Sequence, residues 1–370
     1  MLRNVIAGLA KEYSLEFFIP TDEGPTKEQI IYLEEHFGKT HIFPMRRTGI
    51  FLRVVGSLFS KRPWQVTYYT TPVASAWFDA HRQEYDAIYV HEIRLGEYAL
   101  HVPPTQRGRV IIDFNDAISR YYHDAKKFAS FTWRVVYFME EKKVRGYERL
   151  MIEQFSNFCV ITEKDREYLQ ELAPERKTAI RFVATGYGVP DAAFACRPQF
   201  KKQQLCFMGN LRYPQNTEAL TWFLKEVWPL LVAKHPGVEC VVIGKGNELF
   251  PSTSGVTFTG FVEDHFKYLE QSSLFIAPLR FGGGVPTKVM EAMAAGLPAL
   301  TTTAGANNIE GLISGENILI EHLDSRAWAA RIAATLEDTD RLRSIGARAR
   351  DLMRHSSDAT VQETYRTLFG

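Results

Sequence analysis

Chemistry in this chain gathers at places where an apolar run stops and a helical pattern begins. The longest such place is Ala277 to Gly296, where Gly282, Gly283 and Gly284 precede Pro286, Lys288 and Glu291. Leu274–Ala277 ahead of it reads as a buried strand, and proline suits the first turn of the helix that follows. Glycines at that junction let a phosphate reach bare N–H groups at the positive end of the helix dipole, although a plain tight turn uses the same residues. His91 follows the run Asp86-Ala-Ile-Tyr-Val and so ends a strand, with Glu92 after it. A neutral imidazole there can donate to a hydroxyl or stabilise developing positive charge, or it can simply be a solvated strand end. Asp113-Phe-Asn-Asp116 ends the next strand, where carboxylates can orient an acceptor hydroxyl or cap a helix starting near Ala117.

These junctions need a scaffold of alternating strands and helices. Candidate strands are Leu15–Ile19, Thr40–Pro44, Ala87–Val90, Val110–Ile112, Phe158–Ile161 and Ala179–Phe182, then Leu205–Met208, Glu239–Ile243, Val256–Thr259, Leu274–Ala277, Ala299–Thr302 and Ile318–Ile320. Helical patterns between them predict an α/β architecture with mainly parallel sheets. Ligands in such sheets sit beyond the carboxyl ends of the strands. The chain has 370 residues, which favours two domains. The expected boundaries are an N-terminal Rossmann-like domain over 1–185, a hinge over 186–202, a C-terminal Rossmann-like domain over 203–355, and a last helix over 356–370 that packs back toward the first domain.

Composition narrows the class. Apolar residues make up 45% and charged residues 24%, and the net charge of +1 carries no nucleic-acid signature. No segment has the roughly 18 uninterrupted apolar residues of a membrane span. Leu2, Val5, Ile6 and Leu9 fit an amphipathic helix better than a signal peptide. Cys159, Cys196, Cys206 and Cys240 form no CxxC pair and read as buried thiols of a reducing, cytoplasmic compartment. Lys142 to Arg149 is a charge run, read as a solvated face or as a peripheral contact with anionic lipid at the inner face of a membrane.

Pro278-Leu-Arg280, the three glycines, Lys288, Glu291-Ala-Met-Ala-Ala-Gly-Leu-Pro298 and Thr301-Thr-Thr-Ala-Gly305 resemble the donor-sugar motif of GT4-type (group 1) retaining glycosyltransferases of the GT-B fold. The likeness is to bacterial exopolysaccharide-type members, to which Lys142–Arg149 and Val160–Asp165 add. It implies two facing Rossmann-like domains with a nucleotide-sugar cleft between them. It also implies that Glu291 accepts hydrogen bonds from both ribose hydroxyls, a task for a carboxylate with two oxygens. His91 corresponds to the histidine that faces the donor sugar and, with Lys288, is a catalytic candidate. Gly209, Asn210 and Arg212 follow Leu205–Met208 like the loop that opens the donor domain, and Gly260, Phe261 and Val262 match the loop that holds the nucleobase. Arg212, Arg280 and Lys288 are the cations able to offset the leaving diphosphate. Asp113 and Asp116 are acceptor-side candidates.

Two departures from the family stand out. The earlier of its two donor-site glutamates falls at Gly283, and Met1 falls inside the helix that members place after a first strand and glycine loop. The resemblance implies a metal-independent, retaining, hexosyltransferase-type enzyme with no cofactor. It would move sugar from a nucleotide diphosphate sugar to a sugar or lipid-linked acceptor hydroxyl in polysaccharide or glycoconjugate synthesis. The alternative is a non-catalytic nucleotide-sugar-binding homologue or partner subunit; a hexosamine 2-epimerase of the same fold fits the motifs less well.

Overall fold

The computed structural model describes residues 6, 8–22, 24–45, 60–126, 131–200, 203–280 and 285–369. The chain divides into two compact units, Met1–Gly186 with Val361–Gly370, and Tyr187–Thr360. The N-terminal helix is visible in part: Ala10 N donates to Ile6 O and Tyr13 N to Leu9 O, whereas Leu2 and Val5 lie outside the described residues.

In the first unit β1 (Leu15–Thr21) pairs in parallel with β2 (Gly38–Pro44). The helix Lys27–His36 joins them, started by a capping box in which Thr26 and Gln29 satisfy each other's backbone N–H. A separate parallel sheet runs β3 (Ile88–His91), β4 (Val110–Asp113), β5 (Asn157–Val160) and β6 (Arg181–Ala184) in that order. The six strands expected of this half therefore form two ladders, not one. β1 meets the surrounding structure through side chains: the Phe18 ring packs on Trp77, Phe78 and Tyr98, and Glu16 accepts from the Tyr85 hydroxyl at 2.8 Å. The helix Asp358–Phe369 supplies Val361, Tyr365 and Leu368 to an apolar cluster with Leu9, Ile111 and Cys159.

The second unit holds one six-stranded sheet, β7 (Gln204–Met208), β8 (Glu239–Ile243), β9 (Val256–Gly260), β10 (Leu274–Ala277), β11 (Ala299–Thr301) and β12 (Leu319–Ile320), in the order β12-β11-β10-β7-β8-β9 with all pairs parallel. Side chains alternate along each strand. Cys206, Met208, Val241, Ile243, Phe275 and Ala277 fill one face, and Leu205, Phe207, Cys240, Val242, Leu274 and Ile276 fill the other. Both faces are covered, which is why these strands read as unbroken apolar runs. Residues expected as a hinge are packed: Val189, Ala193 and Cys196 belong to the first of those clusters. All four cysteines are buried and free, and burial pushes the Cys206 thiol up to about 12.

Backbone crowding at the strand ends fixes the loops that follow. Gly209 N donates to Ile243 O and Gly244 N to Gly260 O, each at 2.9 Å, so three neighbouring strands end in glycines laid against one another. Gly244 has φ +141°, and a Cβ there would stand 1.9 Å from the Gly209 carbonyl oxygen. Gly244→Ala should therefore destabilise the folded chain by about 1–3 kcal/mol, through a forbidden backbone conformation and a backbone clash. Gly24→Ala, with nothing within 4 Å, should be close to neutral in the same urea titration.

Candidate functional site

Strand order in the second unit reverses between β7 and β10: β8 and β9 follow on one side, β11 and β12 on the other. At such a switch point the connections leave in opposite directions and open a crevice at the carboxyl edge. Two of the expected site segments begin there, Gly209–Arg212 after β7 and Pro278–Arg280 after β10. Gly282, Gly283 and Gly284 lie outside the described residues.

The helix Thr287–Ala294 follows, with Pro286 at its N-cap and no side chain capping its first N–H groups. Its far end is closed differently. Gly296 takes φ +75°, and Arg350 donates to the carbonyls of Ala294 and Ala295. Cation and carbonyl dipole attract there.

Glu291 lies on this helix, 3% exposed. It is thus a carboxylate in the interior of the unit, where a charge needs donors. Lys288 Nζ donates to its Oε1 at 3.0 Å and its Oε2 at 3.2 Å, and His265 Nε2 stands 2.9 Å from Oε2. Because a carboxylate only accepts, His265 Nε2 carries the proton of that bond. Burial alone would raise the Glu291 pKa; the His265 hydrogen bond and Lys288 outweigh it and hold the group below the ordinary carboxylate range.

The remaining second-unit candidates have partners of their own. Arg280 Nη1 reaches Glu218 at 3.2 Å, and Arg212 Nη2 reaches Glu248 at 2.9 Å. Both pairs are exposed, and such pairs are weak enough to exchange for a ligand phosphate. Asn210 turns inward: its Oδ1 accepts from Arg212 N and its carbonyl from Asn216 Nδ2. Gly260, with φ +68°, ends β9, Phe261 is 67% exposed with Lys245 Nζ 4.8 Å from its ring centre, and Val262 packs on the core. His265 was missed by sequence reasoning, because Glu263-Asp264-His265 reads only as a polar helix entry.

In the first unit His91 and Asp113 are register partners at the ends of β3 and β4. His91 Nδ1 stands 3.1 Å from Asp113 Oδ2, so Nδ1 is the donor and Nε2 is turned away from that bond. Asp113 is fully buried and also accepts from the Tyr89 hydroxyl and from Asn115 N at 2.8 Å. Its place is beneath His91, which it orients. Among the described residues neither Asp113 nor Asp116 caps the following helix; Ser119 N donates to the buried Glu148 at 3.0 Å. Glu92 and Asn115, just past these strand ends, hold φ of 65° and 60°. Left-handed backbone on two adjacent non-glycine strand ends is strain of the kind that clusters at functional sites.

Comparison with known proteins bears on this arrangement. Residues 202–338 match the family model of the group 1 glycosyl transferases. The second unit carries a group 1 glycosyltransferase domain. The chain as a whole has the GT-B fold: it superimposes on HepE from Anabaena, crystallised with UDP and glucose, with a TM-score of 0.65 at 15% identity over 99% of this chain and 94% of that one. WaaG, a glycosyltransferase involved in lipopolysaccharide biosynthesis, gives 0.64 at 15% identity over 100% of this chain and 94% of that one. A glycosyltransferase from Rickettsia africae gives 0.65 at 12% identity over 99% and 93%. A 44.6 kDa uncharacterised protein of the cps region of Klebsiella pneumoniae is 24% identical over 126 residues, 31% of this chain and 32% of that protein.

Asp116 offers a test of the first-unit site. Burial, then the nearby carboxylates Asp165, Glu92 and Asp113, push it up to about 6 from 3.8. A raised folded-state pKa adds stability that is complete below the unfolded value and is lost as pH rises through the folded one. Asp116→Asn should therefore stabilise the chain at pH 8, on the order of 2 kcal/mol, and do little near pH 3. Thermal melts across that range read the difference.

Proposed function

We propose that this chain is a retaining glycosyltransferase that takes its sugar from a nucleotide diphosphate sugar. One observation carries the reading: Lys288, Glu291 and His265 meet on the glycosyltransferase domain, on and beside the helix that enters from the switch-point edge. Glu291 would take the two ribose hydroxyls. Lys288, with Arg280 or Arg212, would turn to the diphosphate, whose negative charge the uncapped helix start also favours. The acceptor hydroxyl would attack the anomeric carbon from the face the diphosphate leaves. The new C–O bond would form as the sugar–phosphate bond breaks, and the proton would pass to the departing phosphate oxygen. His91, its tautomer fixed by Asp113, is assigned to the donor sugar. Hexosyl transfer, metal independence and a role in polysaccharide or glycoconjugate synthesis belong to the same proposal, as does the sugar or lipid-linked acceptor.

Nucleotide affinity by calorimetry, set beside turnover of a nucleotide-sugar panel, tests it. Glu291→Gln should cost about 2–3 kcal/mol of nucleotide binding, since two charge-assisted bonds weaken together. His91→Ala should lower kcat by roughly 10²–10⁴-fold with binding intact, as for a group acting in the transition state. Binding without any turnover in the unmodified chain would return the non-catalytic alternative.

Peripheral membrane contact is the second part of the proposal, and the helix Phe131–Gln154 supports it. In sequence its charges look mixed; in the fold they are sorted. Glu140 and Glu148 are buried, holding Trp64 N and Ser119, and Glu141 is half-buried against Lys126 and His123. Lys142 and Arg145 face outward, on the side where Val135, Phe138 and Met139 are 44%, 72% and 45% exposed. Among the described residues no helix is long and apolar enough to cross a membrane. Bases near an anionic lipid surface contribute about 1 kcal/mol each. Lys142→Glu with Arg145→Glu should therefore weaken sedimentation with phosphatidylglycerol vesicles by at least tenfold. Equal sedimentation of variant and parent would remove the membrane from this reading.

A further inference from the structure

His265 is a histidine that the sequence motifs leave unused, and its surroundings are unusually fixed. It forms the N-cap of the helix Phe266–Gln271, where its carbonyl accepts from Tyr268 N at 3.1 Å and from Leu269 N at 3.3 Å. Asp264 Oδ1 accepts from Phe266 N at 3.1 Å and ties down the same turn. The backbone of His265 is therefore held from both sides, and its ring spans from the loop after β9 to Glu291 on another helix.

The two partners of Glu291 differ in kind. Lys288 sits three residues away on the same helix, with a side chain 44% exposed, on a long flexible stem. The His265 side chain is 23% exposed and short, and it leaves a backbone that the helix start holds in place. If Lys288 turns to a phosphate, the donor that Glu291 keeps among the described residues is the imidazole. A buried carboxylate with no donor would swing or take up a proton, and either change costs it the capacity to accept from two hydroxyls.

We propose that His265 is the positioning residue of Glu291. Its Nε2–H fixes one carboxylate oxygen, so that the carboxylate keeps its charge and aim when Lys288 moves away. The inference rests on the reading of Glu291 as the ribose-binding carboxylate. His265 then decides how strictly the site demands a ribose with both hydroxyls, and it links the loop Gly260–Val262 to the sugar of the nucleotide.

The test compares UDP, GDP and ADP with their 2′,3′-dideoxy counterparts by calorimetry on the full chain. The parent should favour the ribose form of the nucleotide it binds by about 100-fold, two hydroxyl bonds to a charged group being at stake. His265→Ala should cut that preference by roughly tenfold and leave the dideoxy form bound as before. His265→Gln, whose amide can place an N–H near the same point, should recover part of the preference, and it serves if the alanine variant melts early. Loss of both forms in equal measure, or of neither, overturns the positioning role. Glu291→Gln separates this from the underlying reading: an undiminished ribose preference there, or no binding of any of the three nucleotides to the parent, means that the donor site itself is misassigned.

Discussion

A carboxylate cannot stay charged inside a protein without donors, and that constraint organises the second unit. Glu291 is buried on a helix, and its donors come from two directions. Lys288 comes from one turn earlier, and His265 comes from the loop that follows β9. Their positions depend in turn on the reversal of strand order, which leaves the edge beyond β7 and β10 free of crossing connections. Pairwise, none of these contacts exceeds a few kcal/mol. Together they fix a buried charge beside the start of the helix Thr287–Ala294.

The first unit solves a related problem at two strand ends. His91 and Asp113 face each other because they are register partners on adjacent parallel strands. Asp113 is saturated by Tyr89, Asn115 and His91, which makes it an orienting group. Glu92 and Asn115 take left-handed backbone just past these strand ends. Two non-glycine residues in that conformation side by side are costly, and the buried hydrogen bonds around Asp113 are what hold them there.

Much of this was legible in the sequence, and the gaps have physical causes. Each of the twelve strands was placed to within a few residues, because sheets covered on both faces need unbroken apolar runs. Pairing was less legible: nothing in Leu15–Ile19 says that Phe18 joins the neighbouring structure through ring contacts instead of a ladder. Glu291, Lys288 and His91 stand where strand ends and helix starts put them. His265 could not be found, since its role comes from a contact with a residue 26 positions away. The charge sorting of Phe131–Gln154 was hidden for the opposite reason. Periodicity shows which residues share a face, but not that Glu140 and Glu148 have buried partners waiting for them.

The route of the chain has a consequence for its synthesis. Residues 187–360 form a unit that is complete once they have emerged, while the unit begun at the N-terminus still lacks Val361, Tyr365 and Leu368. On the ribosome, domains ordinarily close in the order they are made. Here the order is nested: the part begun first is finished last. Leu9, Ile111 and Cys159 stay uncovered until the final turns arrive. The growing chain thus carries an exposed apolar patch through the whole production of its second unit, a stretch of time in which a chaperone would have something to hold.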